Sequence, residues 1–299
     1  MALRALRSIP VLFLLLVSLG AAHAAETRRI VTTENADYFG FDLRSEQNVT
    51  LDQCEAACLG DPSCRAFTYN RKAKWCFLKS DFNTLNPFNG AVAGKVTPVS
   101  GDPDIGAPPE LAFFPPWMAD QALQYRNFLL GPGFARPVEG VNALVDAAEQ
   151  ASLTGDHRIA MEKYEQAVSV LPDEIALWIG LSRATLAAQM SAKSELSQLQ
   201  SRGTSAAFNA YTLSRTTVER AEALALLAAG LDRREAYRSA IQAYEASLAL
   251  VNSASVRAEY EDLKARKGFR IVDHTVEADT SAPRICVRLS EDLVKTGVD

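Results

Sequence analysis

Three patterns of hydrophobic and polar residues follow one another along the 299-residue chain. Between residues 28 and 97, aromatic residues accompany short strand-like runs such as Arg29 to Thr33. From 141 to 267 the chain is rich in Ala, Leu and Glu, and apolar residues recur at intervals of three and four, the period of an α-helix. After Gly268 the apolar positions alternate with a period of two. These patterns predict a small mixed domain, then a helical region, then strands.

The segment from 98 to 140 separates the first two patterns. It is crowded with Pro and Gly, which are unfavourable in long helices and in central strands. Its apolar residues Phe113, Phe114 and Trp117, and the helix-like run ADQALQYRNFLL, predict that it packs on a neighbouring part of the protein. We therefore interpret residues 98–140 as a structured connector.

The first 24 residues have the features of a secretory signal peptide. Arg4 and Arg7 precede an apolar run from Val11 to Leu19, and small residues at Ala22 and Ala24 suit cleavage. We expect a secreted or periplasmic mature chain; an uncleaved membrane anchor is the alternative. After cleavage, no apolar stretch in the sequence is long enough to cross a bilayer.

Net charge limits the classes of partner. The formal charge is −5, and removal of residues 1–24 would make it more negative by taking away two arginines. An acidic chain has no electrostatic basis for binding nucleic acid or an anionic membrane. The 48% hydrophobic content is sufficient for folded cores.

Four of the five cysteines lie between residues 51 and 80, spaced Cys-x3-Cys-x5-Cys-x11-Cys. The sequence around Thr50 and Gln53 has the pattern of a capping box, which predicts that a helix begins there. Cys54 and Cys58 would then lie one turn apart, with Cβ atoms about 6 Å apart, whereas a disulfide needs about 3.8 Å. Each must therefore bond to another segment.

Of the three connectivities that four cysteines allow, the one that contains Cys54–Cys58 is excluded by this geometry. Of the two remaining connectivities, we favour the one that joins Cys58 to Cys64 across the turn LGDPS and Cys54 to Cys76 on a strand. A zinc site or reactive thiols would be the competing use of the cluster. An oxidising compartment and the absence of a Cys-x2-Cys pair argue against both.

The N-terminal region resembles a PAN/Apple domain. The resemblance rests on the segments DYFGFDL at 37–43, CEAAC at 54–58, DPSCRAFTYN at 61–70 and WCFLK at 75–79. It implies a helix held by a curled antiparallel sheet, with the helix cysteines tied to neighbouring strands. It also implies a recognition module for proteins or carbohydrates, without catalytic residues of its own.

A basic and aromatic group within this region is the candidate ligand-binding site. Such a group could meet an acidic glycan or a carboxylate-bearing partner; the alternative is a solvated hairpin whose aromatic side chains cover the sheet. The candidate residues are Arg65, Tyr69, Arg71, Trp75 and Lys79.

Two stretches of the helical region partly match the tetratricopeptide repeat. The residue spacing of the first stretch matches the second half of such a repeat. The second stretch lies near residue 240, and the period between the two is irregular. We predict a short, degenerate array that either binds a peptide or acts as a spacer. The matching positions are Gly155, Asp156, Ala160, Tyr164, Ala167 and Pro172, then Ala240, Tyr244 and Leu248.

The last segment, 268–299, resembles the opening of the first macroglobulin-type domain of bacterial alpha-2-macroglobulin-like proteins. A β-sandwich needs about seven strands and roughly 100 residues, so this segment would be an incomplete β domain. Cys286 has no partner among the clustered cysteines. The resemblance implies that the chain is the N-terminal region of a longer envelope protein of the protease-trap family; a free-standing 299-residue protein is the alternative.

The sequence does not predict an enzyme. Of the three histidines, His23 falls in the signal peptide, and neither His157 nor His274 has a Ser, Cys or carboxylate at triad or metal-site spacing. We predict no cofactor and no metal. The favoured function is a non-catalytic recognition and spacer region of a secreted alpha-2-macroglobulin-like envelope protein, and the alternative is a free-standing secreted adaptor for protein–protein interaction. A metal or redox protein would require free thiols in the cysteine cluster.

Overall fold

The computed structural model describes residues 27–99, 101–279 and 281–290. Within them, a disulfide-bonded α+β domain is followed by a helical region and then by a short pair of antiparallel strands. The predicted order of fold classes is confirmed. The predicted signal peptide, 1–24, and residues 291–299 of the predicted C-terminal β segment lie outside the described residues.

The N-terminal domain consists of a five-stranded antiparallel sheet and one helix. The strand order in the sheet is β1-β5-β3-β4-β2. Gln53 donates from its backbone N–H to the hydroxyl of Thr50 and accepts from the N–H of Thr50, so the predicted capping box is confirmed. The elements are β1 (Thr27–Tyr38), β2 (Asp42–Gln47), α1 (Leu51–Gly60), β3 (Ala66–Asn70), β4 (Trp75–Lys79) and β5 (Leu85–Val99).

Strand β3 is buried on both faces of the sheet. Phe67 and Tyr69 point into a small core that contains the four bonded cysteines beneath α1. Ala66 belongs to a second core that continues into the helical region. Thr68 shares that opposite face, and its hydroxyl accepts a hydrogen bond from the N–H of Tyr38. The sheet is therefore covered by α1 on one side and by helices on the other.

The helical region is an array of antiparallel hairpins in which each helix packs on the next. The tyrosine of the first predicted repeat, Tyr164, packs against Gly180, where a Cβ would lie 2.4 Å from its ring. Trp178 is fully buried and donates its indole N–H to the carbonyl of Pro172. The array comprises α3 (Val141–Leu153), α4 (His157–Val170), α5 (Ile175–Ala187), α6 (Lys193–Leu213), α7 (Thr217–Arg233), α8 (Tyr237–Leu250) and α9 (Ala254–Lys267).

The connector packs on this array, as predicted. Phe114 is buried and stacks on Phe208 of α6 at 4.4 Å between ring centroids. Helix α2 (Pro116–Leu130) follows and packs on α6 and α4. Trp117 differs from its neighbours, because 53% of its surface is exposed and the guanidinium of Arg234 lies over its ring.

A direct contact joins the N-terminal domain to the first helix of the array. Gly140, the N-cap of α3, supplies no side-chain cap, and Asp81 takes this role from the end of the sheet domain. Its carboxylate accepts hydrogen bonds from the N–H groups of Asn142 and Ala143, at 3.0 and 2.9 Å. A Cβ at residue 140 would lie 2.1 Å from the Asp81 carboxyl carbon, so glycine is required for this approach.

The C-terminal hairpin has one apolar and one polar face. It is formed by β6 (Ile271–Glu277) and β7 (Arg284–Leu289). Val276 pairs with Ile285 on one face, and both are more than 60% exposed. On the other face Glu277 pairs with Arg284. The apolar face of the hairpin therefore has no close cover within the described residues.

Candidate functional site

Two disulfides hold the N-terminal domain together. Cys54 is bonded to Cys76 of β4, and Cys58 is bonded to Cys64 in the turn before β3, the two pairs that the sequence favours. All four cysteines are fully buried, and the two bonds anchor α1 to β4 and to the turn before β3. Cys286 is exposed and unpaired on β7.

Two of the five residues predicted to bind a ligand are buried and bonded within the domain. The hydroxyl of Tyr69 donates to the carbonyl of Val49 at 2.9 Å. The ammonium of Lys79 donates to the carbonyl of Gly40 and to the carboxylate of Asp42, at 2.9 and 2.8 Å. These two side chains hold loops on the sheet and do not face solvent.

The other three predicted residues are exposed but separated. Arg65 precedes β3 and donates to the carbonyl of Pro62 at 3.0 Å. Arg71 follows the same strand and forms an ion pair with Glu34, and Trp75 begins β4. The length of β3 puts the backbones of Arg65 and Arg71 roughly 20 Å apart. The structure thus does not bring the five residues together into one site.

A groove on the helical array is the better-formed candidate. One cavity of about 520 Å³ lies between α5, α7 and α9, and a second of about 430 Å³ lies between α3, α4 and α5. Arg183 and Ala187 line both cavities. We call the two together the helical groove.

The floor of the helical groove is apolar and built partly from small side chains. Ala221, Ala225 and Ala229 are spaced four residues apart on α7, so they share one face of that helix. Larger apolar residues, including Leu226 and Val256, lie beside them. A floor of this kind can accept apolar side chains of a partner and exclude water from them.

Charged and polar groups of both signs surround this floor. Arg183 and Glu222 form an ion pair across α5 and α7. On α9, the carboxylate of Glu259 accepts a hydrogen bond from the hydroxyl of Tyr244 at 2.8 Å. Burial, and then this hydrogen bond, raise the pKa of Tyr244, so its hydroxyl stays a hydrogen-bond donor at neutral pH. The groove offers fixed polar contacts around an apolar centre.

The two histidines outside the predicted signal peptide belong to no group of side chains that could hold a metal ion among the described residues. His157 lines the second cavity, and its buried Nδ1 has no hydrogen-bond partner in the described chain. His274 is exposed on β6. In the same described part of the chain, no helix has the length and hydropathy needed to cross a bilayer.

The residues of the helical groove were not predicted from the sequence. Arg183, Glu222 and Glu259 belong to three different helices, and their sequence positions do not indicate that they share a surface. The spacing of Ala221, Ala225 and Ala229 was the one available signal, since a repeated small residue at four marks a smooth helix face.

Comparison with known protein families identifies the N-terminal domain. Residues 29–95 match the family model described as PAN domain. This match agrees with the disulfide-bonded sheet and single helix described above.

Several solved structures are similar to the helical part of the chain. They include the Sgt2 TPR domain from Aspergillus fumigatus, at 19% identity and a TM-score of 0.36, covering 46% of this chain and 84% of that one. The Arabidopsis OM64 TPR domain is 12% identical with a TM-score of 0.35, covering 42% of this chain and 94% of its own. The first TPR of Spaghetti (RPAP3), bound to the HSP90 peptide SRMEEVD, is 16% identical with a TM-score of 0.35 and the same two coverages. Among curated proteins, no sequence matched the chain.

Proposed function

We propose that this chain is a non-catalytic recognition protein that holds a segment of a protein partner in its helical groove. The observation that carries the proposal is the apolar floor of the groove, surrounded by the Arg183–Glu222 pair and Glu259. The PAN domain acts as a second, rigidly attached contact surface for protein or carbohydrate. Protein–protein interaction is the part of the adaptor alternative that this proposal keeps; the free-standing character of that alternative is not part of it.

The proposal is tested by selection of peptides and blockage of the groove. A random peptide library is displayed on phage and selected against the folded chain, and affinities are measured by calorimetry. Replacement of Ala225→Trp fills the groove, and we expect at least tenfold weaker binding of the selected peptides. Ala249→Trp is the matched control, since Ala249 is exposed on α8 and does not line the groove.

Two results would refute groove binding. The first is selection of no peptide above background; the second is selected peptides that bind Ala225→Trp as tightly as the unaltered chain. Retained circular dichroism of both variants excludes unfolding as the cause of lost binding.

We further propose a secreted or periplasmic location. The two disulfides of the PAN domain support it, because such bonds persist in oxidising compartments. The location is tested by alkylating the free thiols of the protein purified from its source and measuring its mass. Four alkylatable thiols between Cys54 and Cys76 would contradict it and would reopen the metal or redox hypothesis.

We propose as well that the chain belongs to a larger alpha-2-macroglobulin-like envelope protein. The sequence resemblance of residues 268–299 supports this, and the exposed apolar face of the β6–β7 hairpin is consistent with further strands of a sandwich packing on it. An antibody against the helical region would then detect a polypeptide much larger than this chain. Detection of a product of this chain's size alone would contradict the proposal.

A further inference from the structure

The helical groove has an apolar surface that extends beyond its floor. Leu153 of α3 is 79% exposed and lines the cavity between α3, α4 and α5. Val218 of α7 is 50% exposed and lines the cavity between α5, α7 and α9. Large exposed apolar side chains in both parts of the groove, together with the alanine face of α7, indicate an occupant with a continuous apolar side.

We propose that the occupant is an amphipathic helix of a partner protein, which lays its apolar face on the floor of the helical groove. This inference rests on the proposed function, and it names the conformation and the charges of the segment that the groove holds.

The polar side chains around the floor are already bonded within the chain. The hydroxyl of Ser247 donates to the carbonyl of Ala221 at 2.7 Å. Ser253 caps α9 by accepting from the N–H of Val256, and its hydroxyl lies 3.0 Å from that of Ser255. No Asn or Gln is among the described residues that line the two cavities. The floor therefore presents few free hydrogen-bonding groups to the backbone of a bound segment.

An extended segment and a helix place different demands on such a floor. The Arg183–Glu222 pair and the bond between Glu259 and Tyr244 also engage the charged groups beside it. An extended segment exposes a backbone N–H and C=O at each residue, and burial of these groups without partners is unfavourable. A helix bonds them internally and presents only side chains. The groove thus fits the apolar face of a helix.

Two charged side chains of the groove indicate the charges of that helix. Glu149 of α3 and Arg233 of α7 are exposed, and neither side chain forms an ion pair or hydrogen bond within the described part of the chain. The cavity that Glu149 lines also contains the buried Nδ1 of His157, which has no partner among the described residues. A basic side chain of the partner would donate to Glu149, and an acidic one would accept from Arg233.

The packing of the array sets the spacing of those two partner charges. Packed helices lie about 8–10 Å apart, so α3 and α7, on either side of α5, are roughly 16–20 Å apart. A helix rises about 1.5 Å per residue, so about 11 residues, or three turns on one face, bridge this distance. We therefore expect an apolar stripe of about three turns between the base and the acid.

Two designed peptides of about 18 residues test the conformation. The first has leucine and alanine at helical spacing on one face, with a lysine and an aspartate about 11 positions apart. The second is identical except for a central proline on the polar face, which prevents a continuous helix. In calorimetry with the full chain, we expect the first to bind and the second to bind at least tenfold more weakly. Equal affinities would overturn the proposal.

Variants of the chain locate the bound helix. Ala225→Trp should weaken binding of the first peptide at least tenfold. Glu149→Lys should weaken it at least fivefold, and a peptide with glutamate in place of its lysine should recover most of the loss. Glu162→Lys is the matched control, since Glu162 is exposed on α4 and does not line the groove. Unchanged binding in Ala225→Trp, or equal effects of Glu149→Lys and Glu162→Lys, would overturn the assignment.

The phage-selected peptides separate this inference from the function on which it rests. NMR chemical shifts of an isotope-labelled selected peptide report its conformation when bound, and we expect helical values. Selected peptides that bind in the groove as extended chains would overturn the helical partner and leave groove binding intact. Absence of binding by every peptide, designed or selected, would refute both.

Discussion

At the scale of the residue, Asp81 joins the PAN domain to the helical array through its carboxylate. It is 8% exposed, and besides the two N–H groups at the start of α3 its carboxylate accepts from the side-chain amide of Asn142 at 2.9 Å. A carboxylate at a helix N-terminus also meets the positive end of the helix dipole. One side chain of the PAN domain thus performs the capping that Gly140 cannot.

Replacement of Asp81→Ala should lower the free energy of unfolding by about 1–2 kcal/mol, the usual effect of losing a helix cap. Asp81→Asn should cost less, because the amide keeps one acceptor oxygen. Urea unfolding monitored by circular dichroism measures both. Asp120→Ala, which removes an exposed aspartate of α2, is the control and should have little effect. An equal effect at both positions would argue against the capping role.

Glu165 should make stability depend on pH. Burial raises the pKa of Glu165 above its ordinary value of 4.5. The hydrogen bond from Tyr125 and the positive charge of Arg202 lower the pKa and so reduce this shift. Between the ordinary and the raised pKa, the folded state binds more protons than the unfolded state, so this residue's contribution to stability falls as pH rises through that window. Glu165→Gln has no such titration. Its stability relative to the unaltered chain should therefore increase between pH 4 and pH 8 in urea unfolding, and a constant difference would contradict the assignment.

At the scale of the element, the two disulfides anchor helix α1, and they close loops of unequal length in the chain. Cys54 and Cys76 are 22 residues apart, whereas Cys58 and Cys64 are 6 apart. Cross-linking restricts the unfolded chain more when the closed loop is longer.

Loss of the longer bridge should therefore destabilise the PAN domain more. Loop-closure entropy gives about 3 kcal/mol for removal of Cys54–Cys76 and about 2 kcal/mol for Cys58–Cys64. Paired Cys→Ser variants, compared by urea unfolding, measure the difference. A larger effect from the shorter loop would show that native packing, rather than unfolded-state entropy, dominates.

Helices α4 and α5 approach closely where Gly180 faces Tyr164. An alanine at 180 would place its Cβ 2.4 Å from the tyrosine ring, so the helices would have to separate. Overpacking of this kind costs about 1–3 kcal/mol, more than the roughly 1 kcal/mol that alanine gains in helix propensity.

We therefore expect Gly180→Ala to lower the thermal midpoint, measured by circular dichroism. The matched control is Gly60→Ala at the end of α1, where a Cβ would meet no atom within 4 Å. An unchanged or higher midpoint for Gly180→Ala would contradict the close packing.

At the scale of the whole molecule, the PAN domain and the helices share one core. Tyr38, Phe82 and Ala93 of the sheet domain belong to the same buried cluster as residues of α3 to α7. Near this junction, burial raises the pKa of Glu174, which precedes α5, and the positive charge of Lys95 on β5 lowers that pKa in part. The shared core makes the two parts depend on each other.

Unfolding should accordingly be a single cooperative event. Far-ultraviolet circular dichroism and tryptophan fluorescence should give coincident urea transitions, because Trp75 lies in the PAN domain and Trp178 in the array. Residues 27–99 produced alone should expose the second face of the sheet and bind a hydrophobic dye. Two separate transitions would indicate independent domains.

The sequence alone determined the elements and the class of each region. The helical and strand periods, the capping box at Thr50 and the segments that resemble a PAN/Apple domain are local patterns, and local patterns follow from backbone geometry and neighbouring residues. The same kind of reasoning excluded a bond between Cys54 and Cys58, because their separation depends only on one helical turn.

Only the tertiary structure decided which surfaces face solvent and which residues meet. Tyr69 and Lys79 looked like ligand-binding residues, but the loops at Val49 and Gly40 cover them. Arg183 and Glu222 are brought together by the packing of α5 on α7, and Asp81 reaches a helix that begins 60 residues later. Contacts between distant segments depend on the complementary shapes of packed elements, which no local pattern records. For that reason the class of each region could be predicted from the sequence, whereas the groove and the contacts between the PAN domain and the helices could not.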